Sequence, residues 1–135
     1  MTVIFGSDPG RDKCGIAVLE ERHLHYYQVV PSGKAIATFQ TLHQQYSPTI
    51  LVMGDQTTAK TWKKQLNAAL PSLEIVMVDE RYSSLEARDR YWQMYPPQGL
   101  QRLIPQGLRE PPRPIDDLVA ILLIERYLEL GSRGN

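Results

Sequence analysis

Acids stand at four separate places in the chain, each beside an apolar run or at the opening of one. Asp8 follows Val3-Ile4-Phe5 in "SDPGRDKCGIAV". Asp55 follows "TILVMG", Asp79 and Glu80 follow "LEIVMV", and Asp116 and Asp117 open "IDDLVAILLIERYLEL". One acid at a strand end is an ordinary turn residue, and one in the first turn of a helix complements the helix dipole. Several acids aimed at one place are different. Two carboxylates ~4 Å apart repel by roughly 4 kcal/mol at an effective dielectric of 20. Their pKa values must rise, or a cation must join them. Oxygen ligands without His or Cys suit Mg²⁺ or Mn²⁺. Two such ions can clamp the attacking and leaving oxygens of a phosphodiester. The candidate metal ligands are therefore Asp8, Asp55, Glu80, Asp116 and Asp117.

These acids must be positioned by alternating elements. Residues 2–7, 15–21 and 23–30 read as three strands with short connections, an antiparallel meander. Ser32 is the expected cap of a helix to about residue 46. Residues 49–54 form a continuous apolar strand of the kind buried in a parallel sheet. A helix follows over 58–70, stopped by Pro71, then a strand over 73–78. "SSLE" (83–86) has the form of a capping box opening a helix to about residue 94. Residues 95–114 hold six of the ten prolines and read as an irregular loop. The last helix is apolar nearly all round from Leu118 to Ile124, so it must be buried. The expected fold is α/β: a mixed sheet of five strands, three antiparallel and then two parallel, with helices on both faces. Ligands of such sheets gather beyond the carboxyl ends of the parallel strands, where Asp8, Asp55 and Glu80 fall.

With 135 residues, the expectation is one domain over 1–135. Hydrophobic residues make up 42% of the chain and the formal net charge is zero. Overall charge therefore points to no polyanion partner, but its distribution does. Six arginines lie between Arg81 and Arg113, against Glu86, Asp89 and Glu110. Lys60, Lys63 and Lys64 form a second basic cluster. Arg11, Lys60, Lys63, Lys64, Arg81, Arg102 and Arg109 are the candidate phosphate contacts. Arg81 has two readings, a phosphate clamp or an internal pair with Asp79. Trp62, Trp92 and Tyr95 lie near the basic clusters and could stack on bases or pack in the core. His23, His25 and His43 read as packing or surface residues rather than general bases. Cys14 is alone, so no internal disulfide forms, and it reads as a small core residue. No apolar run is long enough to cross a membrane. A cytoplasmic protein without membrane attachment is expected.

"DPGRDKCGIAV", "VDERYSSLEAR" and "IDDLVAILLIERYL" resemble the YqgF/RuvX family of the ribonuclease H-like superfamily, related to the RuvC Holliday-junction resolvases. The resemblance spans nearly the whole chain, in order, and its most specific part is "DER" followed by Ser and a short helix. It implies a nuclease, an Mg²⁺- or Mn²⁺-dependent endonuclease, acting on a DNA four-way junction or processing the ends of pre-16S ribosomal RNA. Asp8, Glu80 and Asp116 match the family's acidic triad. A monomer or a homodimer fits equally. The chain departs from the pattern at Gly54-Asp55-Gln56, where a Gly-Leu-Pro and a longer loop are usual, and at Arg11-Asp12-Lys13 and Asp117. Those departures keep a second reading open, a catalytically weakened module that binds nucleic acid or a protein. A third reading starts from the Asp-x-Gly turn, which also resembles the phosphate loop of actin-like ATPases. Those need two such domains, for which this chain is too short.

Overall fold

A computed structural model describes residues 2–56 and 58–133. Strands β1 (Val3–Pro9), β2 (Lys13–Glu20) and β3 (His23–Pro31) form the expected antiparallel meander. Helix α1 (Ala35–Tyr46), β4 (Ile50–Gly54), α2 (Ala59–Ala69), β5 (Glu74–Val78), α3 (Ser83–Met94) and α4 (Asp116–Arg133) follow. The strand order is β3-β2-β1-β4-β5, with β4 parallel to both β1 and β5. The carboxyl ends of β1, β4 and β5 therefore lie along one edge. The α/β expectation holds in strand number, in strand direction and in the sequence of elements along the chain; the spatial order of the strands comes from the structure. Among the described residues no helix is long and apolar enough to cross a membrane.

Alternation along the strands sorts the core into two layers. Val3 and Phe5 of β1, with Ile16 and Val18 of β2, pack under α1 and α2. Phe5 meets Phe39 of α1 edge-on at 5.1 Å. Ile4, Ala17, Leu19 and Val52 face the other way, against α3 and α4. Asp8 has the parity of Ile4, so it points to the α4 face. α4 is buried from Leu118 to Ile124, as its all-round apolar sequence requires. Its first turn lies on the β1–β2 ribbon so closely that a Cβ on Gly15 would collide with the Asp116 carbonyl. Gly15 pairs with Asp8 across the ladder. The glycine thus brings two acids, remote in sequence, to the same point.

Three local expectations change. Ser32 does not cap α1. A 3-10 turn, Ser32–Lys34, intervenes, and the Ser32 hydroxyl donates instead to the Gly10 carbonyl at 2.9 Å. Its N–H donates to the Asp12 carbonyl at 2.9 Å, so Ser32 braces the β1–β2 turn. "SSLE" is no capping box, because Tyr82 is the N-cap, with no side-chain cap bond, and Ser83 is buried in the first turn. The 95–114 segment is less irregular than expected, since it folds into 3-10 turns at Gly99–Leu103 and Gln106–Leu108. Arg109 organises these turns by donating through Nε to the carbonyls of Gln101 (2.9 Å) and Ile104 (2.8 Å).

Candidate acidic site at the carboxyl edge of the sheet

A cavity of about 580 Å³ opens where β1, β4, β5 and the first turn of α4 meet. Asp8, Asp55, Glu80 and Asp116 all line it. The parallel pairing of β4 with its two neighbours explains three of the four, and the close seat of α4 on Gly15 explains Asp116. Gly54 makes room for the Glu80 carboxylate: a Cβ there would lie 2.5 Å from Oε1 and 2.6 Å from Oε2. The sequence "VMGD" thus carries two roles in adjacent positions.

The electrostatics show a crowded cluster. Burial, then the charges of Asp116 and Glu80, then a side-chain hydrogen bond with Asp116 push the Asp8 carboxyl up to about 8. Asp8 therefore holds its proton near neutral pH, hydrogen-bonded to Asp116. Glu80 is also raised, chiefly by burial, with the Asp55 charge adding to it, while the Gln56 backbone N–H opposes the shift. Among the described residues no three His, Cys, Asp or Glu side chains already close around one point as metal ligands. Asp8 and Asp116 are joined to each other, and Glu80 acts on Asp8 through its charge.

Asp117 is not brought to this cavity. Consecutive helical residues diverge by about 100°, and Asp117 faces a second cavity, of about 790 Å³, beside β3. There it is buried, accepting from Arg113 Nη1 at 3.0 Å and from the Leu118 N–H at 3.0 Å. A buried carboxylate left without that arginine would be costly, so Asp117 has a structural partner.

The basic candidates divide in the same way. Arg11 is exposed on the β1–β2 turn and is not among the residues lining the acid cavity. Arg81 lies on the cavity rim and pairs with Asp79, with Nε and Nη2 each 3.0 Å from Oδ2. That bond lowers the Asp79 pKa. Both side chains are largely exposed, so the pair is screened and easily exchanged. Lys60, Lys63 and Lys64 are exposed on α2, whose core residues belong to the opposite layer from α4. Arg102 is exposed on the 3-10 turns. Arg109 is committed to its loop carbonyls and to the Trp92 ring, 5.7 Å from the centroid.

Trp92 is buried, and Trp62 packs against the α1–α2 layer. Tyr95 shares a hydrogen bond with the Tyr27 hydroxyl at 2.6 Å. His25 bonds Glu20 at 2.9 Å and stacks on Tyr46, a packing role. Burial pushes the Cys14 thiol up to about 12, which makes it inert as a nucleophile.

Two residues at the site escaped sequence reading. Arg126 of α4 donates 2.7 Å bonds to the carbonyls of Asp79 (Nη1) and Arg81 (Nη2), one on each side of Glu80. It also pairs with Glu86 at 3.1 Å. It lies ten residues after Asp116, about 80° round the helix, so no local pattern marks it and only the contact of α4 with the β5–α3 connection reveals it. The other is Tyr82, on the cavity rim.

No protein-family model matches the chain. It is 26% identical over 141 residues to a Xanthomonas axonopodis pv. citri protein named "Putative pre-16S rRNA nuclease", covering 93% of this chain and 86% of that one. A protein of the same name from Xanthomonas oryzae pv. oryzae (strain PXO99A) matches equally. Among solved structures, Thermus thermophilus RuvC superimposes with a TM-score of 0.62 at 17% identity, covering 96% of this chain and 97% of that one. RuvC of T. thermophilus in complex with a Holliday junction substrate gives 0.58 at 19%, covering 97% of each chain. The fold is thus the ribonuclease H-like fold of RuvC.

Proposed function

We infer that this chain, which resembles the YqgF/RuvX family along nearly its whole length, is a divalent-metal-dependent nuclease acting on structured nucleic acid. The observation that carries this reading is the convergence of Asp8, Asp55, Glu80 and Asp116, from four separate segments, on one cavity. The donor set fits a hard cation: it is all oxygen, it is crowded, and one member keeps a proton to about pH 8. Asp8, Glu80 and Asp116 would hold the ion, with Asp55 as a fourth ligand. Bound there, Mg²⁺ or Mn²⁺ would supply charge stabilisation at the phosphoryl oxygens and a more acidic water.

The chain's own residues do the rest. Asp8 would give up its proton to become a ligand beside Asp116. Arg81 exchanges Asp79 for a phosphate oxygen, a bidentate match for its guanidinium. Arg11 and Lys60 meet the backbone on either side. The precursor of 16S rRNA is the first substrate to test, since sequence relatives at 26% identity are named as pre-16S rRNA nucleases. The test is a cleavage panel with Mg²⁺ or Mn²⁺ on a precursor rRNA fragment, a four-way junction and plain duplex. Metal-dependent cleavage of at least one structured substrate is expected. Affinity should also fall steeply with salt, by a log–log slope of about −0.9 per phosphate contact on duplex DNA. No cleavage and no Mn²⁺ binding would leave the non-catalytic module as the better reading.

Arg126 adds a second expectation. Outer-shell partners of metal ligands typically hold about 10- to 100-fold in metal affinity. Arg126→Ala, which frees the backbone on both sides of Glu80, should lower Mn²⁺ affinity by about 10-fold in calorimetry while KM for nucleic acid holds. Unchanged affinity would make Arg126 an ordinary α4–β5 brace.

A further inference from the structure

α4 is buried on every side from Leu118 to Ile124. A helix apolar all round carries no polar face to fix its rotation about its own axis. Asp116 nevertheless meets Asp8 at one rotation only, because successive helical residues diverge by about 100°. Gly15 sets how near the first turn lies to the β1–β2 ribbon. Further along, Glu125 pairs with Arg90 of α3 at 2.7 Å, and Arg126 holds the β5–α3 connection. Those ties lie about 14 Å along the axis from Asp116. In the first turn itself the tied side chain is Asp117, 2% exposed, and its partner is Arg113.

Arg113 stands there against the local electrostatics, since a cation before a helix faces the positive end of its dipole. With 36% of its side chain exposed it has solvent within reach, yet it turns inward. Its Nη1 donates to the Pro114 carbonyl at 2.6 Å and to Asp117 Oδ1 at 3.0 Å. The guanidinium lies 5.8 Å from the centroid of the Tyr91 ring and bonds the Tyr95 hydroxyl. Tyr95 in turn bonds Tyr27 of β3. One arginine thus ties the first turn of α4 to α3 and, through Tyr95, to β3. Replacing a buried ion pair by apolar residues often leaves stability unchanged or raises it, so stability alone does not account for this pair. A choice among similarly packed arrangements does.

We propose that Arg113 is a positioning residue: by holding Asp117 at the second cavity, it fixes the rotation of α4 at which Asp116 meets Asp8. Arg113 does not line the acid cavity, so it acts only through α4. The inference rests on the nuclease reading and deepens it, because adjacent residues then link the two cavities. If loss of the pair leaves the first turn correctly rotated in about one molecule in ten, metal affinity falls about 10-fold.

The experiment measures Mn²⁺ affinity by calorimetry, and melting temperature without metal, on the same preparations. The deciding variant is the double substitution Arg113→Met with Asp117→Leu, which removes both charges together. The Leu118 N–H keeps its bond to the Ile115 carbonyl at 3.0 Å, and the cavity of about 790 Å³ has room for the leucine. This variant should melt at or above wild type and bind Mn²⁺ about 10-fold more weakly. Arg113→Ala should bind weakly and also melt lower, because it leaves a buried carboxylate unpaired. Arg113→Lys returns a charge to Asp117 and should bind more tightly than Arg113→Ala. A double variant that binds Mn²⁺ as wild type does overturns the proposal. So does one that melts several degrees lower and binds weakly, since loss of structure then accounts for both. A wild type that binds no Mn²⁺ overturns the metal-dependent nuclease reading, and this inference with it.

Discussion

Asp8→Asn should abolish cleavage and leave the metal-free protein at least as stable as wild type, with the difference largest near pH 8. The folded state holds the Asp8 proton up to about pH 8, against 3.8 for a free carboxyl. Between those values the folded chain binds more protons than the unfolded one, so stability falls as pH rises. Asp8 therefore costs nothing below pH 3.8 and most above pH 8, where its own carboxyl is ionised. Asparagine has no such proton, so the variant's melting temperature should lack this descent. Its amide can still donate to Asp116, preserving the contact. Added Mg²⁺ or Mn²⁺ should reverse the order. At about 100 times its Kd a ligand stabilises by about 2.7 kcal/mol, and wild type gains this while the variant does not. Loss of activity should exceed the roughly 10- to 100-fold that losing an outer-shell partner costs, because a direct ligand is removed. Melting curves at pH 5 and pH 8, with and without metal, check the whole set. A variant that melts lower at pH 8 and still cuts would remove Asp8 from the mechanism.

Gly15→Ala should be among the most damaging single substitutions in the chain, although it adds one methyl group far from any ionisable atom of its own. The added carbon would meet the carbonyl of Asp116 and would lie 2.6 Å from the Asp117 nitrogen. Backbone at the start of a buried helix cannot yield as a flexible side chain can. Overpacking commonly costs about 1–3 kcal/mol, so the melting temperature should fall by on the order of 10 °C. Relief of the clash moves α4 off the β1–β2 ribbon and carries Asp116 away from Asp8, so metal binding and cleavage should fall with stability. Gly33→Ala is the control, since nothing lies within 4 Å of a Cβ there. If Gly15→Ala melts with Gly33→Ala and wild type, α4 does not seat as described.

The order of elements and the fold class were legible in the sequence because they follow from local patterns. Alternation in β1 and β2, the unbroken apolar runs of β4 and β5, and the all-round apolar α4 each state their own burial. Given parallel β4 and β5, acids at strand ends must share an edge, so Asp8, Asp55 and Glu80 could be placed together without coordinates. Even the divergence of Asp116 from Asp117 is implicit in helical geometry. The partners were not legible, because they depend on contacts between segments far apart in the chain. Ser32 bonds Gly10 rather than the helix it precedes, Arg109 braces its own loop rather than a phosphate, and Asp117 turns to Arg113 in another cavity. Arg126 reaches back 45 and 47 residues to bracket Glu80. Tyr82 takes its left-handed backbone between β5 and α3 with neighbouring bonds to hold it there. Local pattern decides which face a residue presents; only the packed chain decides what that face meets, because a polar side chain takes whichever partner the other layers bring within hydrogen-bond distance.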